Sequence, residues 1–346
     1  MKRALVVSGG GSKGAFAVGV IRGLINTFPN LDFDIYVGTS TGSLVVPFAA
    51  LKEFEALENI YTSQRTENII RKFNIGDRLG EHSIFDATPL WNLIETNLTD
   101  ARCQQLLNGQ KEIYFNTTCL QTENLTVFTN ASNPFASQNY EVKKLLNNLH
   151  LRKAVMASAC QPVFMPPIKV NKDVPGAGND IHQYVDGGVR EYAGVEMAID
   201  NGATEIFTIL LSSGVSDPVN TEFKDLFSIL EETISIFTED VAKNDLILPS
   251  QYNEALVYIE QVKNKMRAKG LTNNQIDEFF NVGGSEGPFA GKVPLKLYTF
   301  RPTAPLGGGP GGLTFDPTEM TAMVNKGKQV TDAFVASLNP ADVTWA

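Results

Sequence analysis

A serine able to act as a nucleophile sits in Gly38-Thr39-Ser40-Thr41-Gly42, a pentapeptide of the form G-x-S-x-G. An apolar run over 33–37 leads into it and a second, over 43–51, leaves it, so the spacing predicts a strand, a sharp turn and a helix. A serine on such a turn is held in a strained backbone conformation with its hydroxyl above the sheet edge, and Gly38 and Gly42 remove side chains that neighbouring backbone would strike. The start of the helix adds positive potential where an oxyanion would develop. The same residue types also favour a plain helix cap, which involves no chemistry.

Glycine clusters a second time in Gly9-Gly10-Gly11-Ser12-Lys13-Gly14, again after an apolar run (4–7) and before a helical pattern (15–25). Consecutive glycines let several backbone N–H groups point into one cavity. Gly9, Gly11 and Gly14 satisfy G-x-G-x-x-G, and Asp34 follows about 20 residues on, as in a dinucleotide-binding site. The competing reading is an oxyanion hole, whose N–H groups would hold the negative oxygen of a tetrahedral intermediate at Ser40. A phosphate-binding loop of the G-K-S/T kind is excluded, because Lys13 precedes Gly14.

Serine needs a base. Only His82, His150 and His182 exist, and each lies in a setting that suits a structural role. Asp186, in Tyr184-Val185-Asp186-Gly187-Gly188, ends an apolar stretch before two glycines and is the better candidate, although Asp-Gly also makes ordinary turns. An aspartate at its usual pKa of about 3.9 is a weak base, so its site would have to tune it by desolvation or hydrogen bonding.

Groups this far apart in sequence need a substantial scaffold. The 346 residues, 43% hydrophobic and 19% charged, can bury a large core. Strand candidates at 112–117, 125–129, 182–185, 205–211 and 295–300, with helical segments among them, predict an α/β domain with a mostly parallel sheet. Over 221–270 the texture changes: Phe223, Phe227, Leu230, Ile234, Phe237 and Val241 recur at steps of four and three. After Asn244 and Pro249 the stripe resumes with Leu256, Ile259, Val262 and Met266. The pattern predicts a helical hairpin bent at 244–249, packed on the core or serving as a lid or partner surface. The glycine-rich stretches 283–284 and 305–312 read as loops, and Asp316-Pro317 as the start of a closing helix that runs to residue 338.

Thirty-eight acidic residues against 29 basic ones give a net charge of −9. That argues against a nucleic-acid partner held by phosphate neutralisation and against broad electrostatic docking on an anionic membrane. Cys103, Cys119 and Cys160 form no C-x-x-C and have no clustered histidine, so neither a disulfide framework nor a zinc site is expected and a reducing compartment fits. The apolar start after Lys2 and Arg3 is broken by Gly9-Gly10-Gly11 too early for a signal peptide, and no stretch reaches the roughly 18 apolar residues of a membrane span. A cytoplasmic or peripherally membrane-associated location is the expectation. The sequons at Asn97, Asn116, Asn124 and Asn130 then carry no meaning.

Taken in order, these blocks resemble the patatin-like phospholipase family. The resemblance rests on Gly9-Gly10-Gly11-Ser12-Lys13-Gly14, the serine elbow and Asp186-Gly187-Gly188. It is extended by Ala157-Ser158-Ala159-Cys160-Gln161-Pro162-Val163-Phe164, between elbow and aspartate, and by the helix start at Phe315-Asp316-Pro317. It covers residues 1–212 and the last 50, and leaves the 221–270 insertion outside. It implies a three-layer α/β/α fold and a dyad in which Ser40 attacks an acyl ester and Asp186 is the base. Gly9, Gly10 and Gly11 would form the oxyanion hole, supported by Lys13, Gly14, Gly38, Gly42, Gly187 and Gly188, with no metal or organic cofactor. Many relatives carry Asn-Pro after the Asp-Gly-Gly block; this chain has Arg190-Glu191-Tyr192-Ala193-Gly194-Val195, which puts the pocket wall in question.

The expected organisation is a catalytic α/β core over 1–215, a helical insertion over 216–285, and a final strand and helix over 286–346 that complete the core. The implied activity is hydrolysis of fatty acyl esters of phospholipids, lysophospholipids or neutral lipids through an acyl-enzyme, at a transient membrane or micelle contact. Three rivals remain. An acyltransferase of related fold would usually carry His beside the elbow serine, where Thr39 and Thr41 stand. A dinucleotide-binding oxidoreductase would use the glycine loop for its cofactor, and an interaction module would need no chemistry.

Overall fold

The computed structural model describes residues 2–73, 75–78, 80–215, 220, 222–284, 289, 292–339, 343 and 345. Its centre is an eight-stranded sheet. β1 (Lys2–Val7) lies between β2 (Ile35–Thr39) and β7 (Ala203–Ile209), parallel to both, and β8 (Lys296–Phe300) extends the sheet parallel to β7. On the other side β3 (Glu112–Cys119) runs parallel to β2, and β4 (Leu125–Thr129) returns antiparallel along β3. The edge strand β5 (Glu141–Lys144) pairs with β4, and a short β6 (Tyr184–Asp186) pairs antiparallel with β3. The sheet is mostly parallel, as the apolar runs predict.

Alternation along each strand explains the layers, since successive side chains leave opposite faces of a sheet. Leu5, Val7, Tyr36, Phe115, Phe207 and Ile209 enter one apolar cluster. Their neighbours Ala4, Val6, Val37, Tyr114 and Ile206 enter a second. The first cluster is covered by α1 (Gly14–Thr27), α2 (Thr41–Ala50), α3 (Phe54–Ser63), α4 (Thr88–Asn97), α5 (Asp100–Asn108), α6 (Asn148–Ala159) and α10 (Pro317–Ser337). The second is covered by α7 (Val195–Asp200) and part of α8 (Leu226–Ala268). The result is a three-layer α/β/α fold in which α10 packs against α1 and completes the larger core.

Three local expectations need correction. The strand expected over 182–185 is shifted and spans Tyr184–Asp186. The edge strand Glu141–Lys144 was not among the strand candidates; its charges are of the kind natural proteins use to blunt an exposed edge. The helical pair in the insertion exists, but its bend lies elsewhere. α8 runs unbroken through Asn244 and Pro249, and the chain reverses at 269–272 into α9 (Asn273–Phe280), where Thr272 and Gln275 form a capping box. α9 folds back on α8, with Lys263 reaching Asp277 at 3.8 Å and lying over the Phe280 ring. Proline removes one helical hydrogen bond, here the one the Asp245 carbonyl would accept. Long-range ties on both sides carry α8 across that defect. The Asp245 carboxylate accepts the Tyr192 N–H at 2.5 Å, and the Asn253 amide exchanges two hydrogen bonds with the Leu295 backbone at 2.7 and 3.0 Å.

Candidate active site

Strand register brings Ser40 and Asp186 together. β2 runs along one edge of β3 and stops at Thr39, opposite Asn116. β4 occupies the other edge, so β6 must take the β2 edge beyond the end of β2. It runs in the opposite direction and stops at Asp186, opposite Thr117. The two strand ends thus point at each other, and the first residue after β2 is Ser40.

Ser40 has φ 55° and ψ −126°, a conformation that L-residues avoid and that persists only when its surroundings impose it. Those surroundings are visible. The Ser40 N–H donates to Ser158 Oγ at 3.0 Å, and its carbonyl accepts from the Ser43 N–H (2.9 Å) and the Ser43 hydroxyl (2.6 Å). The turn is too tight for side chains at its ends: a Cβ on Gly42 would run into the Val7 carbonyl oxygen, and one on Gly38 would sit 2.6 Å from Gly42 backbone.

Asp186 is buried. Its N–H donates to the Cys160 carbonyl at 2.9 Å, and its Oδ1 accepts the Gly188 N–H at 2.7 Å. Burial pushes the carboxyl up to about 6, although the nearby Ser40 side chain and the Gly188 N–H both pull it down. The Ala157-to-Phe164 stretch therefore braces both residues, through Ser158 and Cys160.

The glycine loop follows β1 and lies beside Ser40. A Cβ on Gly9 would stand 3.1 Å from Ser40 Cβ and 3.7 Å from its Oγ, so glycine allows the close approach. Gly9 departs from the expectation in one respect: its N–H donates to the Tyr192 carbonyl at 3.4 Å and is not free for an oxyanion. Among the described residues, the N–H groups of Gly10 and Gly11 meet no protein acceptor. Gly11 has φ +58°, and a Cβ there would collide with the Gly312 carbonyl, so the 305–312 segment, expected to be a simple loop, packs directly on the glycine loop. The Lys13 ammonium is partly enclosed and held below its ordinary range by burial, with Glu239 of α8 acting in the opposite direction. Gly14 sits against Thr41 and Tyr61, and Gly187 against the Asn116 backbone.

The same geometry removes the dinucleotide reading. Asp34 precedes β2 and accepts the Arg3 N–H at 2.9 Å, at the opposite end of the strands from the glycine loop, where no ribose held over that loop could reach it. The histidines also lie elsewhere. None lines the cavity at Ser40. His150, on α6, is buried against Asn171 at 3.3 Å and pushed down to about 4 by burial; His182 contacts Asn179, and His82 is exposed.

That cavity has a volume of about 1000 Å³ and contains Ser40, Asp186 and the three glycines. Leu44 and Phe48 of α2, Leu57 of α3, and Leu90 and Ile94 of α4 make its inner wall, and α8 covers it from outside. Sequence reasoning missed the link between that cover and the loop. Tyr192 lines the cavity, and its backbone bridges α8 and Gly9: the N–H is held by Asp245 and the carbonyl holds Gly9. Glu191 and Asp245 are both pushed up, each first by burial; the nearby Asp245 carboxylate adds to the rise at Glu191, and Asp245 reaches about 6. Only the departure from Asn-Pro at 190–195 hinted at this wall.

The arrangement supplies a strained serine braced through its backbone, a buried carboxylate tuned toward neutrality, an apolar enclosure and, among the described residues, two N–H groups without a protein acceptor. A family model described as patatin-like phospholipase matches residues 5–199, more than half of the chain. No curated protein matches the sequence. Among solved structures the chain is similar to VipD from Legionella pneumophila, with a TM-score of 0.39 and 12% identity over 97% of this chain and 67% of that one. Among the described residues, no helix is long and apolar enough to cross a membrane.

Proposed function

Since this chain belongs to the patatin-like phospholipase family, and so to the lipid acyl hydrolases, we propose that Ser40 is its nucleophile and Asp186 its base. The feature that supports this is the placement of both side chains in one largely apolar cavity, with the Ser40 side chain near enough to lower the pKa of the buried Asp186 carboxyl. Ser40 Oγ attacks the ester carbonyl carbon as its proton passes to the Asp186 carboxylate. The carbonyl oxygen, now negative, is received by the N–H groups of Gly10 and Gly11. Collapse breaks the bond to the alcohol, which leaves with the proton from Asp186, and the acyl group stays on Ser40. Water then attacks the acyl-enzyme with Asp186 again as base, releasing the fatty acid and regenerating the serine.

A carboxyl near 6 suits both halves of the cycle, being ionised at neutral pH yet basic enough to accept the serine proton. Gly188 fixes its orientation, the task a third group performs in a triad. The cavity stands at the upper end of the range for ligand pockets, about 300–1000 Å³. Its aliphatic and aromatic wall supports a long acyl chain as the bound group, drawn from a phospholipid, lysophospholipid or neutral lipid at a membrane or micelle surface.

The test is labelling with a fluorophosphonate and hydrolysis of a soluble ester by wild type, Ser40→Ala and Asp186→Asn. Ser40→Ala loses all labelling, and both variants lose hydrolysis by about 10³-fold or more. Labelling that survives in Ser40→Ala refutes the nucleophile, and wild-type turnover in Asp186→Asn refutes the base.

A further inference from the structure

Beside the periodic stripe whose Ile234, Val241 and Leu256 pack inward, α8 carries a second set of apolar residues turned toward solvent. Leu226, Ile229, Phe237, Ile247, Leu248 and Tyr258 are all exposed, Leu226 by 82% and Phe237 by 65%. At 3.6 residues per turn these positions fall within about 120° of one another. Ser228, Ser235, Thr238 and Ala242 occupy the opposite side and line the cavity. A surface helix ordinarily turns its apolar stripe inward and its polar residues out.

The outward stripe is continuous with the cavity. Val189, Val215, Phe223 and Ile236 are exposed and at the same time line the space above Ser40. Apolar surface therefore runs from the outside of α8 over the rim to the reacting groups. We propose that this face of α8 seats the protein on a lipid surface with zwitterionic or uncharged head groups, so that an acyl chain passes from the aggregate into the cavity without crossing water. The proposal rests on the reading of the cavity as an acyl-ester site.

Two observations choose this occupant. A second copy packed along this face would cover the rim residues Val189, Val215, Phe223 and Ile236 and close the way to Ser40, whereas a lipid surface supplies the acyl chain that the cavity would take. Charge selects the kind of lipid. Over 222–240 six acids stand against the single Lys224, whereas helices that bind anionic bilayers carry lysine and arginine on their polar face.

The test uses the full chain with phosphatidylcholine vesicles, and Leu226→Ser/Phe237→Ser as the variant; neither side chain lines the cavity. Vesicle partition, measured by sedimentation, falls about 10²-fold in the variant, roughly tenfold for each apolar side chain withdrawn from lipid. Hydrolysis of phosphatidylcholine in vesicles falls with it, while hydrolysis of a monomeric short-chain ester stays within about twofold of wild type and reports an intact site. Replacing a third of the lipid by phosphatidylglycerol weakens wild-type partition. Ser40→Ala separates the two proposals, because it loses ester hydrolysis and keeps vesicle binding. A wild type that binds vesicles but cleaves no ester would sink the hydrolase reading and leave the docking face standing. Vesicle binding undiminished in the double variant, tighter binding to phosphatidylglycerol, or self-association through α8 with no vesicle binding would each overturn the docking face.

Discussion

Replacing Asp186 by Asn removes a charge while keeping a shape, and it should make the protein more stable as it destroys the activity. Burial raises this carboxyl from 3.8 to about 6 in the folded chain. Ionising it therefore costs the folded state about 3 kcal/mol more than the unfolded chain. The sign follows from which state holds the proton. Below 3.8 both states are protonated and the carboxyl has no effect; between 3.8 and about 6 the unfolded chain ionises first and stability drains away; above 6 the whole loss is present. Asparagine carries no such loss. Its Oδ1 can still accept the Gly188 N–H, and its amide can donate toward the nearby Ser40 side chain.

The variant should thus gain up to about 3 kcal/mol at pH 8 and only about 1 kcal/mol at pH 4.5. At about 2.1 cal/mol/K of unfolding entropy per residue, the gain at pH 8 corresponds to a midpoint about 4 °C higher for a chain of this length. Denaturant unfolding of wild type and Asp186→Asn at the two pH values, fitted with a common slope, measures the difference directly. A variant less stable than wild type at pH 8, or a gain that does not shrink on acidification, would show that Asp186 is not the desolvated carboxyl described above.

The soluble-ester rate should fall tenfold per pH unit below about 6 as Asp186 takes up its proton, and kcat/KM against pH measures this. Gly11→Ala forces a side chain into the Gly312 carbonyl at a positive φ, so turnover should drop about 10²-fold with far-UV dichroism unchanged. Asp245→Ala releases the Tyr192 N–H and with it the tether on Gly9; kcat should fall about tenfold with KM nearly constant, and Asp245→Asn, which keeps an acceptor, should restore most of the loss.

The candidate dyad was legible because each half carries its own local signature: glycines around a serine after an apolar run, and an aspartate before two glycines at the end of another. What brings the halves together was not, because it depends on β6 taking the edge of β3 that β2 vacates, and no residue of β6 announces its partner. The bend expected at Asn244 and Pro249 failed for a related reason. A proline breaks an isolated helix, but here Asp245 and Asn253 hold the flanking turns through contacts with residues far away in sequence. Glycine strings mark turns, which is why 305–312 read as loop; that its backbone lies on Gly11 is a fact of packing. α8 shows the limit most clearly. Periodicity finds the stripe that packs inward at Ile234, Val241 and Leu256, and passes over the exposed Leu226, Ile229, Ile247 and Leu248, which lie outside its pattern.

In the proposed dyad, a carboxylate as the base would make the cover of the cavity part of the chemistry. No imidazole lines the cavity at Ser40, so on that proposal basicity would come from Asp186 itself, and burial is the largest influence raising its pKa. That burial is not supplied by the sheet alone: Tyr192 and α8 line the same space, and Thr238 of α8 approaches to 3.9 Å of where a side chain on Gly188 would begin. If α8 lifts into water, solvent reaches the carboxyl and its pKa falls back toward 3.8, which leaves it about 10²-fold weaker as a base. If α8 instead exchanges its contact for a lipid surface, the site opens to the acyl chain while water stays out and the base keeps its strength. The outward stripe of α8 and the raised carboxyl then answer one requirement, a reaction centre that must admit lipid and exclude solvent through the same opening.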